Sequence, residues 1–146
     1  MSKKSIVVFG GSGFLGSHVA DELTLAGYAV KIFDTVKSPW SSEKQEMIVG
    51  DILDLEAIKK VTAGAHAVYN FAALSDINEA LSQPLKTINI NILGNGNILE
   101  ACRLNNVKRY IYASTVYVFS REGGFYRCSK QAAESYVEEY QSLFGR

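Results

Sequence analysis

The stretch from Ser5 to Gly16 constrains the fold of this chain more than any other. It reads Ser-Ile-Val-Val-Phe, then Gly10-Gly11-Ser12-Gly13-Phe14-Leu15-Gly16. A short, unbroken run of β-branched and aromatic residues suits a strand buried on both faces, as in a parallel sheet. Glycines at 10, 13 and 16 allow a tight backbone turn. Phe14–Ala26 follows at helical spacing, with Leu15, Val19, Leu23 and Ala26 on one side, and Gly27 supplies a left-handed stop. A strand that feeds a helix through glycines spaced this way is the opening of a βαβ unit.

The alternation continues along the chain. Ala29–Phe33 is a second strand closed by Asp34, and Thr35–Gln45, with Pro39, Trp40 and three serines, is a loop. Met47–Val49 is a third strand before Gly50-Asp51. Leu53–Val61 is a short helix with Asp54 as candidate N-cap. Ala67–Phe71 is the fourth strand, and Asp76–Leu81 a short helical piece before Pro84. Leu85–Leu104 is a long helix in which Gly94 and Gly96 predict a close neighbour, because glycine is costly there. Arg109–Ala113 is the fifth strand and Tyr126–Phe144 the last helix. Strands alternating with helices imply right-handed crossovers and a doubly wound, Rossmann-type parallel α/β sheet of about five strands. The 146 residues suit one domain spanning 1–146, and a hydrophobic share of 47% is enough for a core.

Charge narrows the partners. Fifteen basic and fifteen acidic side chains cancel, so nothing points to nucleic acid or an anionic membrane surface. No run approaches the roughly 20 apolar residues of a membrane span, and the apolar run after Lys3 and Lys4 ends in glycines, unlike a secretion signal. A cytoplasmic, reducing location is expected, with Cys102 and Cys128 as buried free thiols. Neither His18 nor His66 has a second ligand at metal spacing, so no metal is expected. Trp40 reads as loop packing. Glu134, Glu138 and Glu139 read as a solvated helix face.

Two constellations carry chemistry. The first is the glycine loop. Its early glycines leave no Cβ between backbone N–H groups and a pyrophosphate, its last lets the helix lie close to the sheet, and the helix N-terminus adds partial positive charge. An ordinary glycine-rich turn explains the loop equally well until Asp34 is considered. Asp34 ends the second strand 18 residues past Gly16, close to the ~20-residue offset of a ribose-binding acid. A carboxylate there accepts from both ribose hydroxyls and repels a 2′-phosphate, which favours NAD over NADP, although Lys37 leaves room for NADP. The second constellation is Tyr126 and Lys130, at i and i+4 on one helix face. A nearby cation lowers the pKa of a phenol, and such a Tyr can take a proton from a substrate hydroxyl. Alone, such a pair commonly lies idle on a surface; its position after a fifth Rossmann strand raises its meaning. Ser114 and Thr115 close that strand, where open α/β sheets bind ligands. The plainer role for those hydroxyls is to satisfy backbone groups in a turn.

Taken in order, these motifs resemble the extended short-chain dehydrogenase/reductase family, the NAD-dependent epimerases and dehydratases of nucleotide sugars. The resemblance runs along nearly all of the chain: the glycine loop with Phe14, Asp34, Gly50-Asp51-Ile52, Asn70-Phe71-Ala72-Ala73, Asn91 to Ala101, Val107 to Ser114, and Tyr126 to Lys130. It implies that Gly10, Gly13, Phe14, Leu15, Gly16 and Asp34 hold NAD, that Asp51 and Ile52 contact its adenine, and that Phe71, Ala72 and Ala73 form the wall beside it. Thr115 would be the catalytic hydroxyl, with Ser114 as fallback, provided Val118-Phe119-Ser120 stands in place of the family's Val-Tyr-Gly. Tyr126 would be the acid/base, and Lys130 would bind the nicotinamide ribose. The substrate implied is a nucleotide sugar. Three departures stand out. Asn70 replaces a usual His. Only Arg121–Phe125 separates the fifth-strand motif from Tyr126, which implies an open or altered sugar site. The chain stops at Arg146, where the family continues into a substrate domain. A truncated NAD-binding module without turnover is therefore the alternative expectation. An uncovered sheet edge beside the fifth strand leads us to expect a homo-oligomer or a partner chain there.

Overall fold

The computed structural model describes residues 2–145. Five parallel strands form one sheet in the order β3-β2-β1-β4-β5. They are β1 (Ser5–Phe9), β2 (Ala29–Asp34), β3 (Gln45–Val49), β4 (Ala67–Asn70) and β5 (Arg109–Tyr112). In register, Val8 sits opposite Ile32 on one side and Tyr69 on the other. Side chains of a strand alternate between faces, and β1 divides its apolar residues accordingly. Val7 and Phe9 join one cluster with Phe33, Val68 and Val107, covered by Ile58 and Val61 of α2 (Leu55–Thr62) and by Ile98 and Cys102 of α5 (Asn95–Leu104). Val8 joins Val30 and Ile32 on the opposite face under Ala20 of α1 (Phe14–Leu25). Helices on both faces make the sheet doubly wound, as the alternation predicted.

The remaining elements are α3 (Ile77–Ser82), α4 (Pro84–Thr87), a π-helical segment (Ile88–Gly94), a 3₁₀ turn (Val116–Phe119) and α6 (Gly124–Phe144). Local chemistry explains most boundaries. The Asp54 side chain accepts from the Ala57 amide, so α2 begins at Leu55 and not at the expected Leu53. Asp76 likewise caps α3 through the Glu79 amide. Gly27 adopts φ +94°, the left-handed stop predicted for α1.

Four expectations need correction. The helix expected over 85–104 is not uniform: its Ile88–Gly94 portion is a π-helix, a wider turn that hydropathy spacing does not reveal. Gly94 does meet a close neighbour, since a Cβ there would lie 2.4 Å from Ile52 Cδ1, whereas at Gly96 nothing lies within 4 Å. Cys102 is buried, its thiol pushed up to about 12 by desolvation, but Cys128 is exposed. Trp40 is also exposed, at 67%, and does not pack into its loop. Among the described residues no helix is long and apolar enough to cross a membrane.

Candidate functional site

The strand order reverses at β1, with β2 and β3 on one side and β4 and β5 on the other. In open parallel sheets such a switch point opens a crevice at the carboxyl ends of the strands. Here the segments after all five strands line one cavity of about 880 Å3, with Tyr126 and Lys130 of α6 joining the residues after β5. Gly10, Gly13, Phe14, Leu15, Gly16, Asp34, Asp51, Ile52, Phe71, Ala72, Ala73, Ser114, Tyr126 and Lys130 all line it. Thr115 does not.

The glycine loop is fixed by close approach. Gly10 has φ +73°, and a Cβ there would lie 2.6 Å from the Ala72 amide nitrogen. A Cβ on Gly16 would lie 2.2 Å from the Gly10 carbonyl oxygen. At the helix that follows, no side chain caps α1 and its first turn holds no acidic residue, unlike α2 and α3 with their aspartate caps but like α6. The amides of a first helical turn have no intrahelical partner. Those of α1 belong to residues that line the cavity, so the site suits an anion and fits the diphosphate of a dinucleotide.

Asp34 has two roles. Its Oδ2 accepts from the Ser12 amide at 3.0 Å, tying the end of β2 to the glycine loop. Its Oδ1 takes longer bonds of 3.4 Å from the Thr35 hydroxyl and the Val36 amide, the turn-forming role that any Asp can play after a strand. Asp51 Oδ1 accepts from the Leu53 amide at 2.9 Å.

Buried amides shape the opposite wall. Asn70 donates to Tyr110 Oη at 2.9 Å and to Asn95 Oδ1 at 3.2 Å, and its own Oδ1 accepts from the Ala72 amide at 3.0 Å. Asn70 therefore anchors the Phe71–Ala73 wall. Asn91, within the π segment, accepts from the Leu74 amide at 2.7 Å and donates to the Leu74 carbonyl at 3.0 Å and to Ser129 Oγ at 2.9 Å. It pins the loop after β4 to α6. This packing brings Ser75, Lys86, Asn89 and Ile90 into the cavity lining, none of which the sequence singled out. Their only sequence signal is the i, i+3, i+4 spacing of Lys86, Asn89 and Ile90. Lys86 is paired with Glu79 at 2.7 Å.

Lys130 is only 3% exposed. Its ammonium donates to the Ala113 carbonyl at 2.8 Å and lies 4.8 Å from the ring centroid of Tyr112 and 5.8 Å from that of Tyr126. Desolvation brings its pKa down to about 8, with the Glu134 carboxylate opposing the fall. The expected lowering of the Tyr126 pKa does not occur. Burial raises it, a hydrogen bond with Thr115 pulls it back, and Tyr117 adds to the rise. The phenol therefore keeps its proton at neutral pH. Thr115 Oγ1 also accepts from the Tyr117 amide at 3.4 Å and so caps the 3₁₀ turn. The Ser114 hydroxyl donates to Glu134, which is half-buried and not part of a freely solvated face.

Comparison with known proteins gives this architecture its class. The model of the NAD dependent epimerase/dehydratase family matches residues 6–146, and the chain belongs to that family. It is 34% identical over 126 residues to the UDP-glucose 4-epimerase of Yersinia pestis, an alignment covering 78% of this chain and 37% of that protein. It is 31% identical over 125 residues to a UDP-N-acetyl-alpha-D-glucosaminuronate decarboxylase of Bacillus cytotoxicus, covering 82% of this chain and 39% of the relative. Among solved structures, the UDP-glucose 4-epimerase of Brucella ovis in complex with NAD superposes with a TM-score of 0.86 at 29% identity, covering 97% of this chain and 49% of that one. The chain thus spans about half the length, or less, of these relatives.

Proposed function

We propose that this chain is the NAD-binding and proton-transfer part of an epimerase or dehydratase acting on a nucleotide sugar. One observation carries the reading: a single cavity joins the uncapped α1 N-terminus and Asp34 to Tyr126 and Lys130. In this reading the glycine loop and the first amides of α1 hold the diphosphate of NAD, and Asp34 takes the adenosine ribose. Asp51 and Ile52 flank the adenine, and Phe71, Ala72 and Ala73 back the dinucleotide. When bound, NAD supplies a hydride acceptor that can return what it takes. The chain's own residues supply the proton chemistry. Tyr126 Oη gives or takes the proton of the reacting hydroxyl, and the neighbouring Thr115 hydroxyl favours its phenolate form. Lys130 Nζ orients the nicotinamide ribose and, when charged, favours the phenolate.

The experiment is to titrate NAD and NADP against the purified chain, then to follow NADH absorbance on adding nucleotide sugars. Saturable NAD binding with absorbance change supports the whole reading. No binding of either dinucleotide overturns it. NAD binding with neither reduction nor chemical conversion of any sugar nucleotide would establish the second reading, a binding module without turnover. That reading draws on two features: Thr115 lies outside the cavity lining, and the connection over Arg121–Phe125 is short. A partner across the outer edge of β5, which pairs only with β4 among the described residues, also belongs to the proposal, and light scattering at high concentration tests it. So does the cytoplasmic location, which cell fractionation checks.

A further inference from the structure

Tyr126, Lys130 and Glu134 stand at i, i+4 and i+8 and share one face of α6. Glu138 and Glu139 further along are exposed, but Glu134 is half-buried. Its Oε1 accepts a hydrogen bond from the Ser114 hydroxyl at the carboxyl end of β5, and Ser114 itself lines the cavity. A hydroxyl held by a carboxylate makes a charge-assisted bond, stronger than a neutral one.

The neighbouring Lys130 is a buried cation. Burying an ammonium is costly unless it is paired or well hydrogen-bonded. Its direct contacts are the Ala113 carbonyl and the rings of Tyr112 and Tyr126, none of which carries a full negative charge at neutral pH. The titratable groups around it are Tyr112 from β5, Tyr126 and Glu134 from α6, and Tyr117 from the 3₁₀ turn packed against Tyr126. Glu134 is the one carboxylate in that set.

We propose that Glu134 is a positioning residue of this site. Its carboxylate fixes the Ser114 hydroxyl and serves as the counter-charge that keeps the buried Lys130 protonated beside Tyr126. This rests on the reading of Tyr126 and Lys130 given above. It extends that reading by placing a third group of α6 behind them, one that acts through Lys130 and touches no substrate.

The test titrates Lys130 directly by NMR of 13Cε-labelled lysine in the purified chain without dinucleotide, its signal assigned by its loss in Lys130→Met. The wild-type midpoint should lie near about 8. Glu134→Gln keeps the acceptor for Ser114 but removes the charge, and should lower the midpoint by roughly one unit. Ser114→Ala keeps the charge and removes the tether, and should produce a smaller fall. Glu138→Gln, one turn further along α6, should leave the midpoint in place. A Lys130 midpoint that stays within about 0.3 unit of wild type in Glu134→Gln, with an unchanged far-UV spectrum, overturns the proposal. Should Glu134→Gln not fold, Glu134→Asp provides the same comparison, with its shorter carboxylate predicted to give a partial fall and an unmoved midpoint counting against the idea. NAD titrations of the same samples separate the two readings. Loss of NAD binding in wild type would sink the function proposed above, while a Lys130 midpoint that follows Glu134 would still stand.

Discussion

Replacing Lys130 with Met tests the energetics of the site without any ligand. The wild-type ammonium is 3% exposed, and its pKa falls from 10.5 to about 8 on folding. A group whose folded pKa is depressed in this way binds more protons when unfolded. Below the folded value both states are charged, and the native state bears the full cost of burying the ammonium. Above the unfolded value neither is charged and the cost is gone. Stability therefore rises with pH through the window between them. The full shift of about 2.5 units corresponds to about 3 kcal/mol. Between about pH 7 and about pH 10 the part recovered is about 2.5 kcal/mol, because the unfolded lysine is still partly protonated at the upper end. Met fills a similar volume without the charge and lacks this slope. At neutral pH the gain is offset by about 1–3 kcal/mol, because the Ala113 carbonyl loses its donor. The absolute difference between the two proteins is thus a poor readout, and its change with pH is a good one. Urea denaturation of both proteins, followed by circular dichroism across that range, should show wild type gaining on the variant as pH rises. Other lysines and tyrosines titrate in both proteins and drop out of the difference. A difference that stays flat with pH would refute the reasoning, because the buried group would then not titrate in this window.

Three further outcomes follow from the glycines and from Asp34. Gly16→Ala forces a Cβ to within 2.2 Å of the Gly10 carbonyl oxygen, so the loop must deform; NAD affinity measured by calorimetry should fall by about 100-fold or more. Gly96→Ala places its methyl in open space inside a helix and should raise stability by about 0.5–1 kcal/mol in the same urea assay, which a loss would contradict. Asp34→Ser removes the carboxylate that rejects a 2′-phosphate and loosens the bond to Ser12; the ratio of NAD to NADP affinities should drop by about tenfold or more, and an unchanged ratio would remove Asp34 from the ribose site.

The readable parts of the molecule are those whose causes are local. An unbroken Ile-Val-Val-Phe run states that β1 is buried on both faces, and glycines at fixed intervals state where a side chain cannot fit. Asp54 announces its helix because a cap needs only the amide three residues on. The Tyr126 to Lys130 spacing is legible for the same reason, being a property of one helix face. Features set by contact across the sheet were not readable. The π turn at Ile88–Gly94 leaves no periodic trace, and the clamp that Asn91 places on Leu74 and Ser129 joins residues 17 and 38 positions apart. Gly94 and Gly96 look alike in the chain, yet only one has a neighbour.

The glycine loop of the first segment shows the division most clearly. The sequence by itself determined that a strand ends at Phe9, that the backbone turns through residues free of Cβ, and that an uncapped helix begins at Phe14. These follow from sterics and spacing within a few residues. Only the tertiary structure decided that Gly10 packs on Ala72, that Asp34 reaches Ser12, and that Tyr126 and Lys130 face the same cavity as that helix end. It also decided the protonation balance, raising the tyrosine where spacing alone predicted a fall. Desolvation depends on what surrounds a group in three dimensions, and at Tyr126 it outweighs the hydrogen bond from Thr115 that favours the phenolate.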